Sequence, residues 1–401
     1  MGKLFPFLLI ITFLSTVLGN CTVKQAVEFF QIPLNKFRSE LMTRISEDTN
    51  NHFVASSFSL WTLLASITFA ATETTLDELQ YVLRFDPEPC EKRKFFEFVK
   101  GLSADNDEFM FKRSASVFGE YNLLFKETFR QQLKLTGVTK LEEISFANKY
   151  EVAESINQYV KSAIGGSTTK TVKPEDVHGA EVVLIDALCF KSLWKYQFVI
   201  HYTSPYAFYD SDNDRIGHVN IMYNKLETYM ADIPEIYARV LELPYDNDKF
   251  SMLFILPNKG IAIDKVVKTL RNYNVHLFFE RFTLQIVTIR IPRFKISVST
   301  NLKRLLIDMG LENMFSVNAS FPEMAEISLH VSNVIQDTTI EVAEDGCEVS
   351  LQSTVYMLNR LRPNEIFETS FLANRPFLYM IVEKHTEIMI FIGAYSKPSL
   401  Y

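Results

Sequence analysis

The chain has 401 residues, of which 47% are hydrophobic, 22% charged and 13% aromatic, with only 13 Gly and 14 Pro. That composition excludes a disordered, collagen-like or low-complexity protein and calls for a large buried core. Its 41 Lys plus Arg against 48 Asp plus Glu leave a net charge of -7, which argues against nucleic acid or an anionic membrane as the main partner.

At the N-terminus Lys3 precedes an apolar stretch from Leu4 to Val17 that ends in small residues. This is the pattern of a secretory signal over residues 1–19, cleaved after Gly19. The stretch is shorter than the roughly 20 residues a membrane-spanning helix needs, and no later segment is long and apolar enough to span. Two Asn-x-Ser/Thr sequons, at Asn20 and Asn318, are compatible with glycan addition in the secretory pathway. Four cysteines, Cys21, Cys90, Cys189 and Cys347, are too few for a disulfide scaffold and lack the CxxC spacing of a zinc site. Cys189, in the run VVLIDALCF, reads as a buried thiol. Cys21 and Cys90 lie in polar surroundings, and whether they pair stays open.

Pro33 marks the opening turn of a first helix whose Leu34, Phe37, Leu41 and Ile45 share one face. A second helix from about Ser59 through LWTLLASITFAA is apolar almost all round and is therefore buried in the protein. Thr75 and Glu78 read as a capping box for the helix after it. Helical character continues to about residue 165, broken by an extended patch at FKRSASVFGE. After Gly179 the texture turns to strands: EVVLIDALCF, RVLELPY, SMLFILP and LQIVTIRIPRFKISVS. A helix from Leu302 to Met309, stopped by Gly310, interrupts them. PFLYMIV and EIMIFIGAY, joined by a polar turn from Glu383 to Thr386, form a hairpin that needs a large sheet around it. Helices first and strands afterwards, with no linker and no repeat, give one α+β domain over residues 20–401 with a dominant, mainly antiparallel sheet.

Strong enzyme signatures are missing: there is no GxSxG, HExxH, GxxxxGK[ST] or GxGxxG. The seven His residues are scattered, and none is spaced as a metal pair on a helix face. Lys92, Arg93 and Lys94 form the one consecutive basic triplet and read as a solvated helix face, with a sulfated polysaccharide as the alternative contact. No enzyme activity, cofactor or metal is expected.

The closing third holds IEVAEDG, from Ile340 to Gly346, and Asn374-Arg375-Pro376-Phe377. These resemble the hinge before the reactive loop of the serpins and the start of the strand after it. Further matches run in the family's order: FVASSFSLWTLLA with Ser56 to Ser59, TLDELQ, INQYV, CFKSLW with Trp194, YTSP, ELPY, ILPNKG and IPRFKI. On these residues the chain is identified as a secreted, insect-like member of the serpins. The resemblance implies the serpin fold: N-terminal helices on a dominant sheet, a second and a third sheet, and an exposed reactive loop at about 344–370. It also implies a function as bait for a protease, in which cleavage lets the loop insert as a new central strand and traps the acylated enzyme. The partner would be an extracellular serine protease and the protein a monomer, with no nucleic acid or membrane involved. The family places its primary specificity residue 14 positions after the hinge Gly, so the resemblance implies Arg360, followed by Leu361, as a reactive bond suited to a trypsin-like enzyme. Arg362 is the alternative, but Pro363 follows it and restricts the backbone.

Departures from the family pattern fall where the sheet must open. The hinge comprises Glu344, Gly346, Cys347, Val349, Ser350, Leu351 and Gln352. Val349, Leu351 and Gln352 are bulky where the family favours small residues, and Cys347 replaces a Thr or Ser. Ser57 stands in place of Pro, Asp186 in place of Asn, and Gln336 in place of His. Ser56, Asp186 and Gln336 form the expected sheet-opening cluster, with hydrogen bonds from Asp186 and Gln336 to Ser56. Two readings follow: a suicide inhibitor of a trypsin-like protease, and a non-inhibitory serpin acting as a carrier, signalling or secretion-fluid protein.

Overall fold

The computed structural model describes residues 21–102, 104–105, 109–165, 171–346 and 369–401. Helix α1 (Val23–Thr49) opens at a capping box, in which the Thr22 hydroxyl accepts from the Gln25 N–H at 3.2 Å and Gln25 Oε1 accepts from the Thr22 N–H at 2.9 Å. Pro33 therefore lies inside the helix and does not open it. Burial of Ala26, Val27, Phe30, Leu34 and Phe37 on both sides of the ring outweighs the roughly 3 kcal/mol a proline costs in a helix interior.

After β1 (Phe53–Ala55), helix α2 (Ser57–Ala65) is buried along its whole length and capped by the Ser56 hydroxyl. Helix α3 (Glu73–Leu83) has its N-cap at Thr72, so Thr75 and Glu78 do not cap it. They face a distant turn instead: the Thr75 hydroxyl accepts from the Ser320 N–H, and the Glu78 carboxylate accepts from the N–H groups of Glu312 and Asn313, both at 2.8 Å. In the first turn of α4 (Pro89–Leu102), Cys90 is disulfide-bonded to Cys21. The basic triplet is not one solvated face, because Lys92 lies over the rings of Phe69 and Phe85 while Lys94 pairs with Glu97 at 2.7 Å.

The chain then alternates. Strands β2 (Ala104–Asp105) and β3 (Phe109–Glu120) lead through α5 (Glu127–Thr136), β4 (Lys140–Ile144) and α6 (Lys149–Ile164) to β5 (Val182–Ser192). Next come β6 (Ser204–Tyr209), β7 (Arg215–Ile233), β8 (Ala238–Pro244), β9 (Phe250–Pro257), α7 (Ile263–Leu270), α8 (His276–Arg281), β10 (Thr283–Pro292), β11 (Phe294–Asn301) and α9 (Lys303–Asp308). Strands β12 (Val331–Val342), β13 (Thr369–Leu372), β14 (Phe377–Glu383) and β15 (Ile388–Tyr395) close the chain.

One sheet has six strands in the order β11-β12-β5-β3-β2, with β4 on β3; the other has nine, ordered β1-β15-β14-β9-β8-β7-β10-β13, with β6 on β7. The first part of β7 pairs with β6 and β10, and its end pairs with β8. The expected second and third sheets are thus joined through this strand. Phe111 and Phe190 of the smaller sheet meet Phe250 and Phe391 of the larger at ring separations of 5.6 to 6.5 Å. On the opposite face of the smaller sheet, Val152, Ile156, Val160 and Ile164 of α6 cover Val183, Ile185, Ala187 and Cys189. Strand β5 is therefore buried on both faces, which explains its nearly unbroken apolar sequence.

The disulfide joins the start of α1 to the start of α4 across 69 positions, and closing a loop of that length restricts the unfolded chain by about 4 kcal/mol. Cys90→Ser is expected to lower stability by about 2–4 kcal/mol, measured by urea unfolding, and to release Cys21 to thiol-specific alkylation.

Candidate functional site

Strands β5 and β12 run parallel and are hydrogen-bonded directly to one another from Val331 opposite Val182 to Thr339 opposite Cys189, with one register shift between Val331 and Asn333. Their outer neighbours are antiparallel to them, β3 against β5 and β11 against β12. The ladder between β5 and β12 stops at Thr339, although β12 continues to Val342 and β5 to Ser192. Among the described residues, the mouth of the seam, where the chain leaves β12, is not bridged by this ladder.

At that mouth the chain reverses in a tight turn. Ala343 N–H donates to the Gly346 carbonyl at 3.1 Å, and Gly346 N–H donates to the Ala343 carbonyl at 3.3 Å. Gly346 has φ +129, and a Cβ there would lie 2.2 Å from the Ser192 carbonyl oxygen. Only glycine fits. The turn is fastened to the segment after β5: Trp194 N–H donates to the Asp345 carbonyl at 2.9 Å, its indole Nε1–H donates to the Ala343 carbonyl at 2.8 Å, and Phe198 N–H donates to the Glu344 carbonyl at 2.7 Å. The Trp194 ring is in turn stacked on Tyr245, with centroids 4.6 Å apart. The Glu344 side chain is buried, accepting from the Thr203 hydroxyl at 2.6 Å and lying 3.5 Å from Arg293. Of the expected hinge residues, Glu344 and Gly346 are placed here. Cys347, Val349, Ser350, Leu351 and Gln352, together with Arg360 and Leu361, lie outside the described residues.

Midway along the seam the expected polar cluster forms, with a different internal pattern. Gln336 on β12 stands opposite Asp186 on β5, and its Nε2 donates to Asp186 Oδ2 at 2.7 Å and to the Ser56 carbonyl at 2.9 Å. Gln336 Oε1 accepts from the Ser56 N–H at 2.9 Å. Asp186 does not bond Ser56, because the Ser56 hydroxyl is occupied: it accepts from the Ser59 N–H to cap α2 and donates to the Ile390 carbonyl. The Ser59 hydroxyl takes the place on Asp186 at 2.5 Å.

The sequence reading missed the cation. Arg113 on β3 brings Nε within 3.6 Å of Asp186 Oδ1, with side chains 5% and 0% exposed. Its guanidinium also donates to the Val138 carbonyl at 2.6 Å and the Ser59 carbonyl at 3.1 Å. Burial pushes the Asp186 carboxyl pKa up, opposed by Arg113 and by the bonds from Ser59 and Gln336. A signal was present: in FKRSASVFGE, Arg113 falls on the same side as Phe111, Ala115 and Val117, all buried, so alternation turns a charge inward toward the charge of VVLIDALCF. The cluster joins α2, β3, β5, β12 and β15, and any parting of β5 from β12 must break the bond between Gln336 and Asp186.

Asn318 is exposed in the turn after the short helix at Asn313–Phe315, whereas Asn20 lies outside the described residues. Among the described residues no His, Cys, Asp and Glu side chains gather as a metal site, and no helix is long and apolar enough to cross a membrane.

Removing one partner of a buried ion pair leaves the other charge uncompensated. Arg113→Met is expected to destabilise the protein by about 3–5 kcal/mol in urea unfolding. Adding Asp186→Asn to that variant is expected to recover part of the loss.

Comparison with known proteins agrees with this geometry. Residues 33–398 match the family model "Serpin (serine protease inhibitor)". Serine protease inhibitor 2 of Anopheles gambiae is 25% identical over 376 residues, covering 91% of each chain. Human antithrombin-III is 29% identical over 371 residues, covering 88% of this chain and 78% of that one. The structure of human thyroxine-binding globulin complexed with thyroxine superposes with a TM-score of 0.83 at 21% identity, over 93% of this chain and 98% of that one. With a single family model spanning nearly all of its helices and strands, the chain belongs to the serpin family.

Proposed function

We propose that this serpin is a secreted inhibitor of a trypsin-like serine protease, acting as a suicide substrate through the Arg360–Leu361 bond. The observation that carries the reading is the directly paired parallel seam with the Gly346 turn at its open mouth. A chain that reverses at Gly346 and descends between β5 and β12 runs antiparallel to both. Insertion thus exchanges one parallel ladder for two antiparallel ones, and antiparallel pairing is the more stable per residue. The uncleaved chain is held from this exchange by the tether of the loop to β13, and cleavage within the loop releases it. Arg360 supplies the cation that a carboxylate-floored specificity pocket selects.

Secretion is supported by the apolar run from Leu4 to Val17 and by the Cys21–Cys90 disulfide, which fits an oxidising compartment. Exposed Asn318 is the glycan acceptor in this reading, with Asn20 the second. The functional unit is a monomer, since one chain holds both the bait and the sheet that receives it.

A second reading is favoured by Val349, Leu351 and Gln352, whose bulk slows threading between strands, and by a buried ion pair beneath the seam that opening disturbs. The family includes a thyroxine-binding globulin, and in this reading the fold serves as a carrier without trapping.

Incubation with trypsin at near-equal amounts distinguishes the two. The inhibitory reading predicts a band at the summed size that survives boiling in detergent, a released C-terminal peptide beginning at Leu361, and loss of the band in Arg360→Ala. Clean cleavage at Arg360 without such a band contradicts it.

A further inference from the structure

Beneath α6, on the face of the six-stranded sheet away from Gln336, strand β12 carries a second buried carboxylate that the cluster does not use. Asp337 is 0% exposed. It stands between Ala187 of β5 and Ser299 of β11 in the ladders on either side. Oδ2 accepts from the Thr171 hydroxyl, while Oδ1 is buried with no hydrogen-bond partner among the described residues. The segment that seals it crosses the sheet from α6. Asn157 holds Val172 by two bonds of 2.8 and 3.0 Å, the Thr171 carbonyl accepts from the Ser299 hydroxyl, and the Asp176 carbonyl accepts from Asn333 Nδ2 at 2.5 Å.

Among the described residues, the charged groups on the surrounding elements are engaged elsewhere or exposed. On β12, Glu341 bonds Lys295 of β11 and the Tyr401 hydroxyl, and Lys191 of β5 acts on Glu341. In the covering segment Asp176 accepts from the Lys173 N–H and from Asn301, and Lys161 of α6 and Lys173 are exposed or nearly so. The two influences on the Asp337 carboxyl are burial, which raises its pKa to about 6, and the Thr171 hydroxyl, which opposes the rise. In contrast to Asp186, which has Arg113, it has no counter-charge among the described residues.

We propose that Asp337 sets the barrier to sheet opening: a buried carboxylate with no counter-charge among the described residues, on the strand that must part from β5, it tilts the balance toward the opened seam, where water reaches it, and protonation removes that tilt. This rests on the insertion reading above. Opening shifts β12 away from β5 and loosens the Thr171 segment, so both carboxylate oxygens gain solvent and the group returns toward an ordinary acid. A group whose pKa is raised in the closed state favours that state when protonated. The closed seam is therefore firmest at acidic pH and weakens as pH rises through about 6. Asp337 touches no protease; it is a positioning residue for the strand exchange.

The test uses the uncleaved mature protein and its Asp337→Asn variant, which keeps the shape and removes the charge. Uptake of a synthetic peptide of residues 347–360, followed on native gels, reports opening without any protease. Wild-type uptake is expected to fall about tenfold from pH 7.5 to pH 5, whereas the variant is slower than wild type at pH 7.5 and varies little with pH. The melting midpoint of the variant is expected above that of wild type at pH 7.5, with the gap closing at pH 5. Equal uptake and equal midpoints for the two chains at both pH values overturn the proposal, and leave the inhibitory reading standing if trypsin is still trapped. If neither chain takes up peptide, the insertion reading fails, and the presence or absence of the pH-dependent midpoint gap still decides whether Asp337 weakens the closed sheet.

Discussion

The parallel ladder between β5 and β12 is the constraint on which the rest depends. In the proposed insertion, one further strand entering between these parallel neighbours would pair antiparallel to both. Several side chains bridge or flank the closed seam. Gln336 and Asp186 bridge it from strand to strand, and Arg113 balances the carboxylate from β3. The Gly346 turn stands at the end of the seam where the β5–β12 ladder stops.

The two buried carboxylates on either face give the closed sheet opposing tendencies. Around Asp186, Arg113, Ser59 and Gln336 oppose the desolvation that raises its pKa. Asp337 has one hydroxyl and, among the described residues, one unpartnered oxygen, so less opposes its desolvation. A protein selected only for native stability would replace such a group with an apolar side chain of similar size. Its place on β12 fits the proposed native state held by kinetics, in which part of the barrier is traded for the ability to rearrange.

Much of this was legible in the sequence. Runs rich in branched and aromatic residues gave β5, β8, β9, β10 and the closing hairpin, and IEVAEDG marked Glu344 and Gly346, which lie in the turn after β12. What was missed has physical reasons. The start of α1 was misplaced because Pro33 is a strong local signal, while the capping box at Thr22 and Gln25 and the disulfide beneath it act from further upstream. Thr75 and Glu78 had capping chemistry, but the helix began earlier and turned them to a tertiary task. Strand β7 was passed over because Gly217, Asn220, Asn224 and Lys225 interrupt its alternation where it crosses from one set of partners to another. Asp337 gave no warning, since alternation opposite Gln336 places it on a face that is polar in an uncovered sheet. Only the segment from Thr171 to Asp176 makes it a buried charge.

The central claim is that the uncleaved sheet holds a parallel pairing which a strand from the loop can replace with a better one. The most direct measurement is the melting temperature of the mature protein before and after a single cut within the loop, with both fragments retained. The account predicts that the cut protein melts at a clearly higher temperature, because the freed segment enters between β5 and β12 and adds two antiparallel ladders. A cut protein that melts at or below the temperature of the intact chain would contradict it.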